Sequence, residues 1–388
     1  MEDLLLLGPG PANCSPAVRA ALAGPTVGHL DPLFLERMDA VQASLRQVFG
    51  TTNEITFPVS GTGSAGMETL LTNLVERDDR VVVAVNGVFG GRAAELSRRL
   101  GARVETVDHE WGQPVSPTAV ADALAAGPPA KLLFFVHAET STGALSDAAA
   151  LARSAHDHGA LAVMDCVTSL AGLPVELDAW GVDAAFAGTQ KCLSAPTGLA
   201  PVSLSDRALH AIRSRTTPVT SWYFDLSMVE RYWGPERTYH HTAPVNLIAA
   251  LEAALDEILE EGLEARFQRH RQAHETLLSG LRVLGLDLLP PLGARLPMLN
   301  AVTLPAGLDD AAVRSGLRQR HHIEIGAGLG VLKGRVVRIG LMGHNARPEN
   351  VFRLLHAFAV ELNAAGHACD GNASVQAAAR AADSPNAT

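Results

Sequence analysis

The 388-residue chain holds only four cysteines, Cys14, Cys166, Cys192 and Cys369, and no two of them are spaced C-x-x-C. That leaves neither a disulfide framework nor a cysteine zinc site, and it suits a reducing compartment. Basic charge is also scarce. Lysines and arginines number 31 against 41 aspartates and glutamates, a formal net charge of −10, which argues against a non-specific nucleic-acid surface but not against an anionic ligand in a local pocket. No apolar run approaches the length of a membrane span. The run from Leu4 to Leu7 is too short for the core of a signal peptide. Internal repeats are lacking. These absences lead us to expect a cytoplasmic protein without nucleic-acid or membrane partners.

What is present reads as a compact globular chain, 47% hydrophobic and 19% charged. Its length exceeds what one core usually supports, so one large and one smaller domain are expected. Short apolar runs recur at Ile55–Val59, Val81–Val85, Val104–Val107, Leu132–Val136, Leu161–Met164, Ala184–Ala187 and Leu199–Leu204. They alternate with helical patterns and are rich in β-branched or large apolar residues, as strands buried on both faces are. This predicts an α/β fold with a mostly parallel seven-stranded sheet covered by helices on both faces. In such sheets ligands bind beyond the carboxyl ends of the strands. After about Arg231 the alternation stops, and a smaller α+β C-terminal domain follows. The expected divisions are an N-terminal arm (1–25), a large domain (26–245), a small domain (246–365) and a disordered tail (366–388), the last because it lacks periodicity.

Five expected strand ends carry polar or ring-bearing residues. Ser60-Gly61-Thr62-Gly63-Ser64 follows a strand and opens a helix, which makes a cradle for a phosphate or simply a capped turn. Phe89 follows a second strand and His137–Gly143 a third. Asp165 ends a fourth, either capping the next turn or holding a proton on a ring nitrogen. Lys191 lies after a fifth, among Gly188, Thr189, Ala195 and Gly198. It reads either as a strand-end lysine reaching water or as a desolvated amine that attacks a carbonyl. Any one position has a bland explanation; five at one rim point to a site. Further along, Arg338 is flanked by Val336, Val337, Ile339 and Leu341, and reads as an anion-binding group or as a surface arginine on an edge strand. His240 and His241 invite a metal reading. Side chains alternate along a strand, however, so two neighbours cannot face one ion, and no metal is assigned.

The motifs GPGPAN, SGTGS, GVFGGR, HAETSTG, MDCVTSL, GTQKCLSAPTG, YHHT and VVRIGLMG, in that order from about Leu5 to Leu362, resemble the alanine–glyoxylate / serine–pyruvate aminotransferase family. That family comprises class V, fold-type I enzymes dependent on pyridoxal 5′-phosphate. The chain departs from the best-known animal members at Phe89, where they have tryptophan, and at Ser64, where some have histidine. The resemblance implies that Lys191 joins the cofactor as a Schiff base and shuttles the Cα proton, and that Asp165 pairs with the ring nitrogen. Phe89 would stack on the ring and Ser141 would bond the ring hydroxyl or its surroundings. Thr62, Gly63, Ser64 and Gln190 would hold the phosphate. Tyr239 and Thr242 would reach the phosphate of a neighbouring subunit, making a homodimer with shared active sites. Arg338 would grip the substrate carboxylate, with Gly10 and its loop closing that side. The implied reaction moves an amino group from alanine or serine to glyoxylate or pyruvate by a ping-pong scheme. Alternatives are a ureidoglycine–glyoxylate or phosphonate-type class V aminotransferase, a class V lyase or cysteine desulfurase, and a catalytically silent cofactor-binding protein. Cys166 and Cys192 are expected to point into the core, which weighs against a desulfurase.

Overall fold

A computed structural model describes residues 4–383. All seven expected runs form strands of one sheet: β1 (Ile55–Ser60), β2 (Arg80–Val85), β3 (Arg103–Asp108), β4 (Leu132–Val136), β5 (Leu161–Asp165), β6 (Ala184–Phe186) and β7 (Leu199–Leu204). Their order across the sheet is β1-β7-β6-β5-β4-β2-β3. Strand β7 runs antiparallel to both its neighbours, whereas the β6-β5-β4-β2-β3 run is parallel throughout. Parallel strands leave their carboxyl ends on one edge, and the register sets Val136, Asp165 and Phe186 side by side there. The central strands are apolar because helices cover both faces; Val81–Ala84, Leu132–Val136 and Ala162–Met164 are buried throughout.

The C-terminal part is built on a smaller antiparallel sheet containing Asp287–Leu288, Leu299–Thr303, Val336–Gly340 and Gly326–Ala327, in that order. It has a hydrophobic core of its own, including Leu277, Val302, Val337, Ile339 and Phe358. The arm ties the two parts together: Leu5–Leu6 pairs with Ile323–Glu324. Helix Pro16–Leu22 then packs on helix Val245–Glu261, and Ser15 Oγ donates to Glu257 at 2.7 Å.

Two expectations need correction. Helix Val245–Glu261 falls in the stretch expected to form the small domain, but its buried Ile248, Leu251, Leu255 and Ile258 belong to the core of the large sheet. The change of composition near Arg231 marks where strands end, not where the core changes. The tail, read as disordered from residue 366, contains helix Gly371–Ala382. Asp370 caps it by accepting from Ala373 N at 3.0 Å, and Ser374 Oγ donates to Gly280 O at 2.9 Å. Its buried face is Ser374 and Ala378. Small side chains allow close packing on helices Leu263–Val283 and Pro348–Ala364 but give no hydrophobic period to read. The last part of the tail expectation, residues 384–388, lies outside the described residues.

Candidate active site

Residues from beyond five strand ends meet in one cavity of about 180 Å³. Thr62, Gly63, Ser64 and Met67 follow β1, Phe89 and Arg92 follow β2, and Val136 and Thr140 come from β4 and the turn after it. Asp165 and Val167 follow on from β5, and Phe186, Gln190 and Lys191 from β6. The loop carrying Lys191 is pinned from behind: Thr189 Oγ1 donates to Pro196 O at 2.6 Å, and Ser194 takes up a left-handed φ of 53°.

Lys191 is only 8% exposed. Burial, reinforced by the Arg338 charge, pulls its pKa down to about 8. Its Nζ donates to Pro9 O, and Gly10 lies directly on the side chain. A Cβ at Gly10 would stand 2.8 Å from Nζ, and the backbone there has φ 103°, so glycine is required on both counts. Asp165 is driven the other way. Desolvation raises its pKa to about 7, and nearby Glu139 adds to this while Lys191 opposes it. Its Oδ1 accepts from Val167 N at 2.9 Å, so it caps the turn while also lining the cavity.

Phe89 sits in the first turn of helix Val88–Arg99, with the Arg92 guanidinium 4.9 Å from its ring centroid. Elsewhere in the lining, helix Gly63–Leu74 begins with Thr62 making no side-chain cap bond. Gln190 Oε1 is buried without a hydrogen-bond partner among the described residues. An uncapped helix start offers its first N–H groups to an anion, whereas the Gln190 oxygen is an acceptor and calls for a donor. With an aromatic ring and a buried carboxylate in the same lining, the residues present fit a phosphorylated aromatic aldehyde.

Arg338 is 6% exposed and lies on a strand paired on both sides, not at a sheet edge. Its Nε donates to Ala327 O at 2.8 Å and its Nη1 to Thr140 O at 3.2 Å, which holds it against the cavity wall. Desolvation lowers its pKa to about 10. Ser141, by contrast, does not line the cavity. Its hydroxyl donates to Glu139 Oε1 at 2.5 Å and accepts from Val88 N at 3.0 Å, and Thr140 lines the wall in its place.

Tyr239 and Thr242 also lie away from this chain's cavity. Tyr239 is 57% exposed, its hydroxyl 3.5 Å from Thr242 Oγ1 and its ring 5.3 Å from that of His29. The strand assumed for the adjacent histidines is an irregular bend, in which His240 Nδ1 and His241 Nδ1 are 2.8 Å apart and His241 Nε2 meets Ser60 Oγ at 2.8 Å. Cys166 and Cys192 are buried as expected, their thiols donating to Phe186 O and Thr168 O, with burial raising both pKa values.

Arg92, Thr140 and Val167 also line the cavity, and Glu139 stands behind it. Arg92 carried a usable signal, since three residues after Phe89 on one helix puts both on the same face. Glu139 stood inside a recognised motif, but the helix it caps at Phe89 lies fifty residues upstream.

A sheet of this order with a desolvated lysine and a buried aspartate at its carboxyl rim defines a pyridoxal-phosphate-dependent enzyme of fold type I. The model of the aminotransferase class-V family matches residues 19–371, and the chain belongs to that family. It is 40% identical to alanine–glyoxylate aminotransferase of Oryctolagus cuniculus, the match covering 91% of each chain. The solved alanine–glyoxylate aminotransferase of Nostoc sp. is 44% identical with a TM-score of 0.92, over 93% of this chain and 96% of that one. The ureidoglycine–glyoxylate aminotransferase of Bacillus subtilis is 35% identical with a TM-score of 0.97, over 99% of both. Cysteine desulfurases are similar in fold only, at 16% identity.

Proposed function

We propose that this aminotransferase moves an amino group from alanine or serine to glyoxylate or pyruvate, in two half-reactions at the Lys191 cavity. The observation that carries this is the meeting of Lys191, Asp165 and Phe89 in one cavity with Arg338 fixed beside it. When bound, pyridoxal phosphate supplies an aldehyde carbon and an electron-withdrawing ring. The residues do the rest. Thr62, Gly63, Ser64 and Gln190 hold the phosphate, and Phe89 holds the ring face. Asp165, buried at the ring-nitrogen end, holds the proton shared between its carboxyl and that nitrogen. Lys191, with its pKa near 8, is neutral in a useful fraction of molecules near neutral pH, so it can take the proton from the substrate Cα and return it. Arg338 keeps Nη2 without a hydrogen bond among the described residues, and a planar guanidinium matches the substrate carboxylate. Ser141 acts on this site through Glu139 and the Phe89 helix.

The protein is proposed to work as a homodimer in which Tyr239 and Thr242 complete the partner's phosphate site. Both lie off this chain's own cavity, and Leu33, Trp222 and Tyr239 form part of a set of exposed large apolar residues. Its four cysteines are unpaired, which fits the cytoplasm. The B. subtilis structure keeps ureidoglycine as a second donor to be tried. Recognition of a ureido group calls for amide partners, however, and the His29–Tyr239 pair offers rings.

A donor–acceptor panel on the purified protein tests the proposal. Turnover with alanine or serine and glyoxylate is expected. Turnover with ureidoglycine alone, or sulfide release from cysteine without glyoxylate turnover, would overturn the substrate reading.

A further inference from the structure

Glu139 is 0% exposed, a costly place for a carboxylate unless it is fully hydrogen-bonded. Its partners belong to the cavity wall. Oε2 accepts from Phe89 N at 3.2 Å, while Oε1 accepts from Ser141 N at 3.0 Å and from Ser141 Oγ at 2.5 Å. Ser141 Oγ in turn accepts from Val88 N at 3.0 Å. Helix Val88–Arg99 therefore has its first N–H groups capped from a turn some fifty residues further along the chain. Its own N-cap, Gly87, makes no side-chain cap bond. Nor could a larger residue stand at position 87, because a Cβ there would lie 2.4 Å from Ser141 Oγ and 2.5 Å from Glu139 Cδ. A carboxylate at a helix N-terminus is stabilised by the backbone dipoles as well as by the hydrogen bonds. Glu139 thus joins three parts of the site. It orients the helix that presents Phe89, it engages the hydroxyl of Ser141, and it precedes Thr140, whose carbonyl takes the Arg338 N–H.

We propose that Glu139 is a positioning residue of this aminotransferase, fixing the ring-stacking wall and the turn that anchors Arg338 in one arrangement. The inference rests on the cofactor reading above. It assigns Ser141 to the capping unit instead of to direct contact with the ring. The electrostatics agree, because Glu139 is among the charges that raise Asp165 and that oppose the lowering of Arg338.

The test is Glu139→Gln in the holoenzyme. The amide keeps the shape but turns one acceptor into a donor that must face Phe89 N–H or Ser141. With the far-UV spectrum unchanged, kcat/KM per bound cofactor is expected to fall roughly tenfold or more, chiefly in kcat, because orientation is lost more than ground-state binding. The visible circular dichroism of the bound cofactor, which reports its asymmetric surroundings, should weaken in parallel. Should Glu139→Gln fail to fold, Ser141→Ala removes part of the same unit without leaving an amide donor. It should move both readouts in the same direction by a few-fold. A lower melting temperature with unchanged kcat/KM per bound cofactor and unchanged visible dichroism, in either variant, would overturn the positioning role. A wild-type protein that shows no visible cofactor band would overturn the cofactor reading itself, and this inference with it.

Discussion

The cavity around Lys191 has two walls made in opposite ways. One is the carboxyl rim of the large sheet, where each strand delivers its own side chains within a few residues of its end: Thr62, Phe89, Thr140, Asp165 and Lys191 itself. The other is a strap of backbone. It runs from the Leu5–Leu6 pairing with Ile323–Glu324, past Gly340 N donating to Leu7 O at 2.8 Å, to Pro9 O and Gly10 against the lysine. Reactive groups sit on the wall fixed by a parallel sheet and two helix starts. The facing wall presents the Pro9 carbonyl and Gly10, held in place by residues more than three hundred positions away. Arg338, held by Ala327 O and Thr140 O, bridges them. The contrast teaches that the chemistry was placed at the rim of the hydrogen-bonded sheet, with the strap packed against the lysine.

Perturbations of the two walls should differ in size. Lys191→Ala, on the sheet side, should lower turnover by roughly 10³-fold or more, as loss of a general base does, read as kcat in steady-state assays. Next comes acid. Two buried histidines lie behind the site: His137, whose Nδ1 is 2.9 Å from Ser169 Oγ, and His270, whose Nε2 accepts from Gly343 N at 2.9 Å. Burial lowers their pKa values to about 4 and about 3, from an ordinary 6.5. The unfolded chain therefore binds protons first. The stability due to their neutral forms is present above pH 6.5 and is lost as the pH falls through the window from 6.5 towards 4 and below. The loss is on the order of a few kcal/mol. Asp165, raised to about 7, gains stability over the same window and opposes it, so the check is an NMR titration of the two imidazoles; ring signals titrating near 6.5 would show that they are not buried as described.

Arg338→Lys, at the bridge, keeps the charge but loses the planar fork. KM for the oxo acid should rise roughly tenfold, while melting changes little. Gly10→Ala, on the strap, forces a Cβ against Lys191 at an unfavourable φ. It should cost about 1–2 kcal/mol of stability, with a smaller fall in turnover, seen by thermal melting beside kinetics. A larger effect of Gly10→Ala than of Lys191→Ala on turnover would reverse the assignment of the two walls.

The sheet wall was legible in the sequence because it obeys local rules. Runs such as Leu132–Val136 announce buried strands, and their ends carry the small and polar residues that a ligand site requires. Even Arg338 stood out, as a charge within an apolar strand. The strap was less legible. That Gly10 meets Lys191 depends on a chain crossing that no local pattern encodes. Glu139 escaped because its meaning lies in N–H groups of Phe89 and Ser141, and backbone donors leave no trace in residue identity. Helix Gly371–Ala382 escaped because Ser374 and Ala378 bury little apolar surface. Helix Val245–Glu261 was recognised as a helix but placed in the wrong core, since amphipathicity shows that a face is buried without showing against what.

The most direct test of the central claim uses the scarcity of lysine, since Lys131, Lys191 and Lys333 are the only three in the chain. The holoenzyme is reduced with borohydride, digested, and mapped for the lysine that carries the pyridoxyl group. The account predicts the label on Lys191, with loss of the visible band, and no label in Lys191→Ala. Label on Lys131 or Lys333, or none on wild-type protein saturated with pyridoxal phosphate, would contradict it.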